Sequence, residues 1–194
     1  MRIGFTGAGG TGKSTVLNRL KDLGKFTGVP SLPSVMSEVM AHNNVTSDTN
    51  LLLRTAEERK KFQCDAWQFR RMKEEQFNQN FISDRTLLDH LAYIITTGGI
   101  DDLPRIPDVA DIMDREDLYL STTQANMMLY DQVFFFPINV FHQVDHRRSS
   151  IAYHRTLEAL IKYFLDFWQI PYWTVVMPDL QSRANFIYRH SYNV

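Results

Sequence analysis

Apolar residues follow two rhythms along this chain. Short runs that are apolar almost throughout alternate with longer stretches in which apolar positions return every three or four residues. The first rhythm predicts strands buried on both faces, and the second predicts helices that cover them. Residues 2–6 (Arg-Ile-Gly-Phe-Thr), 80–84 (Asn-Phe-Ile-Ser-Asp), 132–136 (Gln-Val-Phe-Phe-Phe) and 172–176 (Tyr-Trp-Thr-Val-Val) read as strands. Residues 28–33, with two prolines, are read as a short second strand. Helices are predicted over 13–23, with Val16, Leu17, Leu20 and Leu23 on one face and Gly24 past the end, and over 85–97, stopped by Gly98-Gly99. Two more cover 150–168 (Leu157, Leu160, Ile161, Phe164, Leu165, Trp168) and 179–190 (Leu180, Ala184, Ile187). Residues 48–79 also carry helical spacing through Phe62, Ala66, Phe69 and Met72. One straight helix of that length would run about 48 Å, too long for this domain, so a break is expected. Residues 100–118 are rich in Pro and Asp, and the span 100–128 is the candidate insertion.

Strands alternating with helices predict an α/β domain of three layers, a parallel five-stranded sheet flanked by helices, with a lid segment. A length of 194 residues fits one domain over 1–194, with the lid near 138–150.

The strongest chemical signal lies between the first strand and the first helix. Gly7-Ala8-Gly9-Gly10-Thr11-Gly12-Lys13-Ser14 fits G-x-x-x-x-G-K-[ST] at every fixed position. Glycines let the backbone curl until successive N–H groups face one phosphate. The helix that follows presents its positive end to an anion. Lys13 reaches β- and γ-oxygens, and Ser14 offers a hydroxyl to Mg²⁺. The expected donor contacts are Gly7, Gly9, Gly10, Thr11, Gly12, Lys13, Ser14 and Thr15, with ATP as donor and Mg²⁺ as its companion ion.

Composition narrows the class. A formal net charge of -1 gives no global basic field for nucleic acid. Cys64 is the only cysteine, which excludes an intrachain disulfide and a thiolate-rich metal site. It is read as a structural thiol. No histidine spacing suggests a structural metal. No apolar run reaches the ~20 residues of a membrane span, and no signal peptide is apparent, so the expected compartment is the cytoplasm.

Among phosphate-loop proteins, a GTPase would carry Asn-Lys-x-Asp, a motor or AAA+ ATPase a strand ending in Asp-Glu, and a transporter ATPase a Ser-Gly-Gly-Gln-like signature. None is present, which leaves the small-substrate kinases. Asp84-Arg85-Thr86 ends a predicted strand, and the carboxyl edge of a parallel sheet faces the ligand crevice. Asp84 there can hold Mg²⁺ or accept a proton, and Arg85 can hold a phosphate. The alternative is a helix cap beside a solvated arginine. Asp145-His146-Arg147-Arg148, followed by Arg155, supplies arginines that would close over the triphosphate and exclude water, or else a solvated basic turn. Arg54, Arg59, Arg70 and Arg71 are read mostly as solvated or paired with Glu57, Glu58, Glu74 and Glu75, with Arg54 and Arg70 as the candidates for one that reaches the acceptor site. Trp67, Phe69 and Tyr93 are weighed as base-stacking groups against the commoner core reading.

These features together resemble the P-loop nucleoside and nucleotide kinase family. The resemblance rests on the phosphate loop, Asp84-Arg85-Thr86, and the run Asp145-His146-Arg147-Arg148…Arg155…Ile161…Phe164-Leu165…Ile170-Pro171-Tyr172. Within the family, the chain is most similar to AAA-domain proteins related to the kinase domain of nicotinamide riboside kinase. It is more distantly similar to thymidylate and deoxynucleoside kinases. The resemblance implies the three-layer P-loop NTPase fold, catalytic roles for Lys13, Asp84 and Arg148, a metal site at Ser14 and Asp84, and substrate contacts from Arg85 and Arg155. It also implies that Arg183 contacts the donor base. Glu38 lies where such kinases face the acceptor; it is read either as a group that orients or deprotonates a hydroxyl or as a surface carboxylate on a short helix. Related proteins often have Asp-Gly-x-Arg at the lid, where His146 stands here in place of glycine.

The function expected is transfer of the γ-phosphoryl group of ATP to a small nucleoside- or nucleotide-like acceptor, by a monomer or homodimer. One rival keeps the chemistry but takes a hydroxymethylated pyrimidine in DNA as acceptor, with Lys60-Lys61, Arg70-Arg71 and Arg147-Arg148 tracking phosphates. Another is a nucleotide-sensing module without transfer activity.

Overall fold

The computed structural model describes residues 1–46, 54–77, 80–96, 117–138 and 151–191. In chain order the elements are β1 (Arg2–Thr6), α1 (Lys13–Asp22), β2 (Ser31–Leu32), α2 (Met36–His42), α3 (Ala56–Gln76), β3 (Phe81–Asp84), α4 (Leu87–Thr96), α5 (Asp117–Met127), β4 (Gln132–Phe135), α6 (Ile151–Phe167), β5 (Trp173–Thr174) and α7 (Leu180–Ser191). The strands form one five-stranded sheet in the order β2-β3-β1-β4-β5. Every pairing is parallel, and Phe5 of the central strand registers with Asp84 on one side and Phe134 on the other.

Side chains alternate across the sheet, and each face has its own helical cover. Ile3, Phe5, Ile82, Phe134 and Phe136 pack under Val16, Leu17 and Leu20 of α1 and Ala184 and Ile187 of α7. Phe81, Val133 and Phe135 face the other way, against Leu88 and Leu91 of α4, Met127 of α5, and Leu157 and Ile161 of α6. A smaller cluster joins Val35, Val39 and Val45 to Phe62 and Ala66 of α3. The predicted three-layer α/β architecture is what the structure shows. Among the described residues no helix is long and apolar enough to cross a membrane.

Several boundaries differ from the predicted ones. The described part of the long helix starts at Ala56, where Thr55 and Glu58 form a reciprocal capping box. The helix that remains is about 32 Å long. β2 is confined to Ser31–Leu32 because Pro30 and Pro33 flank it. β5 is shorter than 172–176, and both its residues are exposed at the sheet edge. α5 lies inside the span read as an insertion. Its polar run Ser121-Thr122-Thr123-Gln124 hides the helical period, yet Thr123 is fully buried and accepts a hydrogen bond from Trp67 Nε1 at 2.9 Å.

The chain leaves β1 towards β2 on one side and leaves β3 towards β4 on the other. Connections that diverge in this way open a crevice at the carboxyl ends of the adjacent strands. The phosphate loop follows β1 there, and Asp84 and Arg85 end β3 beside it.

Candidate phosphate-transfer site

The loop is shaped by glycines in conformations other residues avoid. Gly7, Gly10 and Gly12 have φ of 138°, 77° and 86°. A Cβ on Gly7 would lie 2.5 Å from the carbonyl oxygen of Phe136, so no side chain fits. Gly12 brings no capping side chain to α1. The first amides of the helix therefore remain available to an anion.

Lys13 and Ser14 open the helix and meet groups from β3. Lys13 is 4% exposed, and its Nζ donates to Gly7 O at 2.6 Å, Ala8 O at 2.7 Å and Thr11 Oγ1 at 3.2 Å. Burial, and then the like charge of Arg85, push its pKa down to about 7, against the pull of Asp89 and Asp84. Ser14 Oγ donates to Asp84 Oδ2 at 2.5 Å. Asp84 is buried, and both groups line a cavity of about 280 Å³ with Lys13, Arg85 and Arg183. A hydroxyl and a carboxylate are hard oxygen donors of the kind Mg²⁺ accepts alongside phosphate oxygens and water. Among the described residues no group of three or more His, Cys, Asp or Glu could hold an ion by itself. The donor set thus fits a cation brought in with phosphates.

Arg85 is held in the left-handed region, with φ of 92°. That conformation is strained for a residue with a Cβ. Its N–H donates to Phe5 O at 3.1 Å, and its carbonyl accepts from Ser83 Oγ at 2.5 Å. The guanidinium lies over the Tyr93 ring, 5.6 Å from the centroid, and its shielded Nη1 has no hydrogen-bond partner among the described residues. Burial alone would lower the pKa of Arg85, but Tyr93, Asp89 and Asp84 outweigh it and raise it.

Asp89 joins the two halves of the site. Fully buried, it accepts from Gly7 N at 2.8 Å through Oδ1, and from Thr86 N at 2.8 Å and Thr86 Oγ1 at 3.0 Å through Oδ2. Arg70, one of the two arginines named as candidates to reach the acceptor site, is buried at the ends of β2 and β3. It is 0% exposed and donates to Ser83 Oγ, Pro33 O and Asp84 O, tying the ends of β2 and β3 together. Its helix partner Glu74 is buried as well, where it accepts from Tyr130 Oη at 2.8 Å. His90 is buried nearby, and burial followed by Arg70 and Arg85 hold its pKa well below the ordinary histidine value. Of the aromatics weighed for base stacking, Trp67 belongs to the core.

The structure brings Gly10, Thr11, Gly12, Lys13, Ser14, Thr15, Asp84, Arg85 and Arg183 to one crevice. Gly7 and Gly9 belong to the same loop but do not line the crevice, and the N–H of Gly7 is given to Asp89. Arg183 serves the loop itself: Nη1 donates to Thr11 O at 3.2 Å and Nε to Met177 O at 2.7 Å. Glu38 is not brought in. It is a surface carboxylate on α2, hydrogen-bonded to Lys73 of α3. Arg155 is exposed on α6, and Arg148, with the rest of the predicted lid, lies outside the described residues. Asp89 was missed by sequence reasoning. Thr86-x-x-Asp89 before an apolar run is capping-box spacing, and that signal could have found it.

A family profile described as an AAA domain matches residues 2–183. In fold the chain is similar to deoxyadenosine kinase from M. mycoides with bound dATP, at a TM-score of 0.70 and 18% identity over 98% of this chain and 99% of that one. The same enzyme with the products dCMP and a flexible dCDP gives 0.67 and 17%, covering 100% of both chains. With bound dCTP it gives 0.65 and 18%, again over 100% of both. At such identities the likeness is one of fold. No protein of curated function matches the sequence.

Proposed function

The chain belongs to the AAA domain family, and from that premise we propose that it is an ATP- and Mg²⁺-dependent phosphotransferase acting on a nucleoside- or nucleotide-like acceptor. The observation that carries the reading is the meeting of Lys13, the Ser14–Asp84 pair and the strained Arg85 around one phosphate loop. The fold shared with deoxyadenosine kinase supports the choice of acceptor class.

In this reading the loop amides and Lys13 hold the β- and γ-phosphates. Ser14 and Asp84 hold Mg²⁺, which when bound neutralises charge on the phosphate oxygens. Arg85 neutralises charge on the moving group. An acceptor oxygen attacks the γ-phosphorus as the bond to the β–γ bridging oxygen breaks, and the electron pair leaves on ADP. The transition state is loose, so positioning and charge neutralisation do most of the work. A hydroxyl acceptor must also lose a proton, whereas a phosphate acceptor need not.

Transfer of label from [γ-³²P]ATP to a panel of deoxynucleosides and deoxynucleoside monophosphates tests the reading. Wild-type protein should label at least one member, and Lys13→Ala should abolish the signal. Label transfer that survives Lys13→Ala, or a wild type that labels nothing, would sink it.

A further inference from the structure

Arg85 is fixed firmly at its backbone and much less so along its side chain. Its strained conformation is held by the bond from its N–H to Phe5 O and by the bond its carbonyl accepts from Ser83 Oγ. These contacts set where the side chain starts. Beyond Cβ an arginine has several rotatable bonds, and the like charge of Lys13 repels it in the crevice that both line. Asp84 and Asp89 attract it, but among the described residues neither is bonded to the guanidinium. Asp84 accepts from Ser14, and Asp89 accepts from Gly7 and Thr86. The guanidinium lies instead over the ring of Tyr93, 5.6 Å from its centroid.

The helix that carries Tyr93 is tied to the phosphate loop. Asp89 and Tyr93 stand four residues apart on α4 and so share one of its faces. Asp89 takes the N–H of Gly7, and Tyr93 reaches the same loop two residues further on. Tyr93 Oη is 3.3 Å, and Arg85 Nη2 3.7 Å, from where a Cβ on Gly9 would be. The face of α4 that staples the loop thus also sets the ring against which Arg85 rests.

We propose that Tyr93 is a positioning residue for phosphoryl transfer: its ring keeps the Arg85 guanidinium at the crevice without using the N–H groups that a phosphoryl oxygen needs. This rests on the phosphotransferase reading above. A carboxylate in place of the ring would hold the arginine as well, but would take its donors and cancel its charge. An aromatic ring attracts a cation through its quadrupole and leaves both charge and donors in place. Tyr93 acts only through Arg85, which lines the crevice where the ring does not.

A double-mutant cycle on label transfer tests this. The probe is [γ-³²P]ATP with an acceptor that the wild type labels, and the variants are Tyr93→Leu, Arg85→Met and the two together. Tyr93→Leu should lower kcat about fivefold or more and leave KM for Mg·ATP within about twofold. In the Arg85→Met background the same change should lower kcat by less than about twofold, because the group it positions is gone. Tyr93→Phe, which keeps the ring, should recover most of the loss. Losses that multiply in the double variant, Tyr93→Phe as slow as Tyr93→Leu, or Tyr93→Leu as fast as wild type would each overturn the proposal. NOEs between the Tyr93 ring protons and the Arg85 δ-protons serve even if a variant fails to fold. They should be present in the wild type with and without Mg·AMP-PNP, and their absence in either state overturns the assignment. A wild type that labels no acceptor defeats the phosphotransferase reading and takes the proposal with it; that result needs no variant and is distinct from the others.

Discussion

Raising the pH from 6 to 8 should weaken Mg·ATP binding about tenfold, and going on to pH 9 about a hundredfold. The reason lies in Lys13. Burial and the neighbouring Arg85 bring its pKa to about 7 in the free protein. A bound triphosphate needs the charged ammonium and stabilises it, so the pKa in the complex is far higher. Below pH 7 the proton is already in place and affinity is flat. Above it, each binding event must first capture a proton, and each pH unit then costs about 1.4 kcal/mol. Calorimetry at saturating Mg²⁺ in two buffers of different ionisation enthalpy reads both the affinity and the uptake, which should approach about one proton at pH 8. Affinity that stays level from pH 6 to 9 with no proton taken up would refute the argument. For folding, the same depressed pKa works with the opposite slope. The unfolded chain keeps the lysine proton up to the ordinary value of 10.5, and the folded one releases it near 7. The penalty for burying this charge is therefore fully present below pH 7 and fades as pH rises towards 10.5, so this group alone makes the free protein more stable in that window.

Other residues give sharp expectations. Asp89→Asn sets an amide N–H₂ against the N–H of Thr86 or Gly7 and removes a counter-charge; a stability loss of about 2 kcal/mol in urea unfolding, with weaker ATP binding per folded molecule, is expected. Unchanged ATP affinity would show that the staple does not shape the loop. Arg70→Met strips a fully buried cation from three oxygen partners and leaves Glu74 without its neighbour. A cost of about 3–5 kcal/mol should follow, and a loss below about 1 kcal/mol in the same assay would contradict that account. Ser14→Ala should reduce the advantage Mg²⁺ gives to ATP binding, bringing affinities in Mg²⁺ and in EDTA together; a persisting difference would place the ion elsewhere.

How far the chain could be read in advance follows from where each signal resides. Ile3-Gly4-Phe5 and Val133-Phe134-Phe135 are buried on both sides, so their apolar character is local and visible. The phosphate loop is equally legible, because its requirements fall on eight consecutive residues. The partners of Arg70 were not legible, because Pro33, Ser83 and Asp84 are brought to it only by the order of β2 and β3 in the sheet. Glu74 and Lys73 show the same limit: neighbours on α3, one is buried against Tyr130 and the other reaches Glu38 on α2. Helical spacing predicts the pairs within a helix. It says nothing about which partner a neighbouring helix or strand will offer.

The contacts of Lys13 also explain why so many residues outside the loop are committed to it. The loop is partly bonded to itself, since Lys13 Nζ donates to the carbonyls of Gly7 and Ala8. To reach a triphosphate, the ammonium must leave those carbonyls. A loop that depended on Lys13 for its shape would then lose its form at the moment it was needed. Two contacts independent of Lys13 prevent this. Asp89 holds the N–H of Gly7, and Arg183 holds the carbonyl of Thr11. Each comes from a different part of the sheet or its helical cover, so the curvature of the loop is imposed by the fold. The lysine can then exchange carbonyl oxygens for phosphate oxygens without reorganising the backbone, as a preorganised electrostatic site requires.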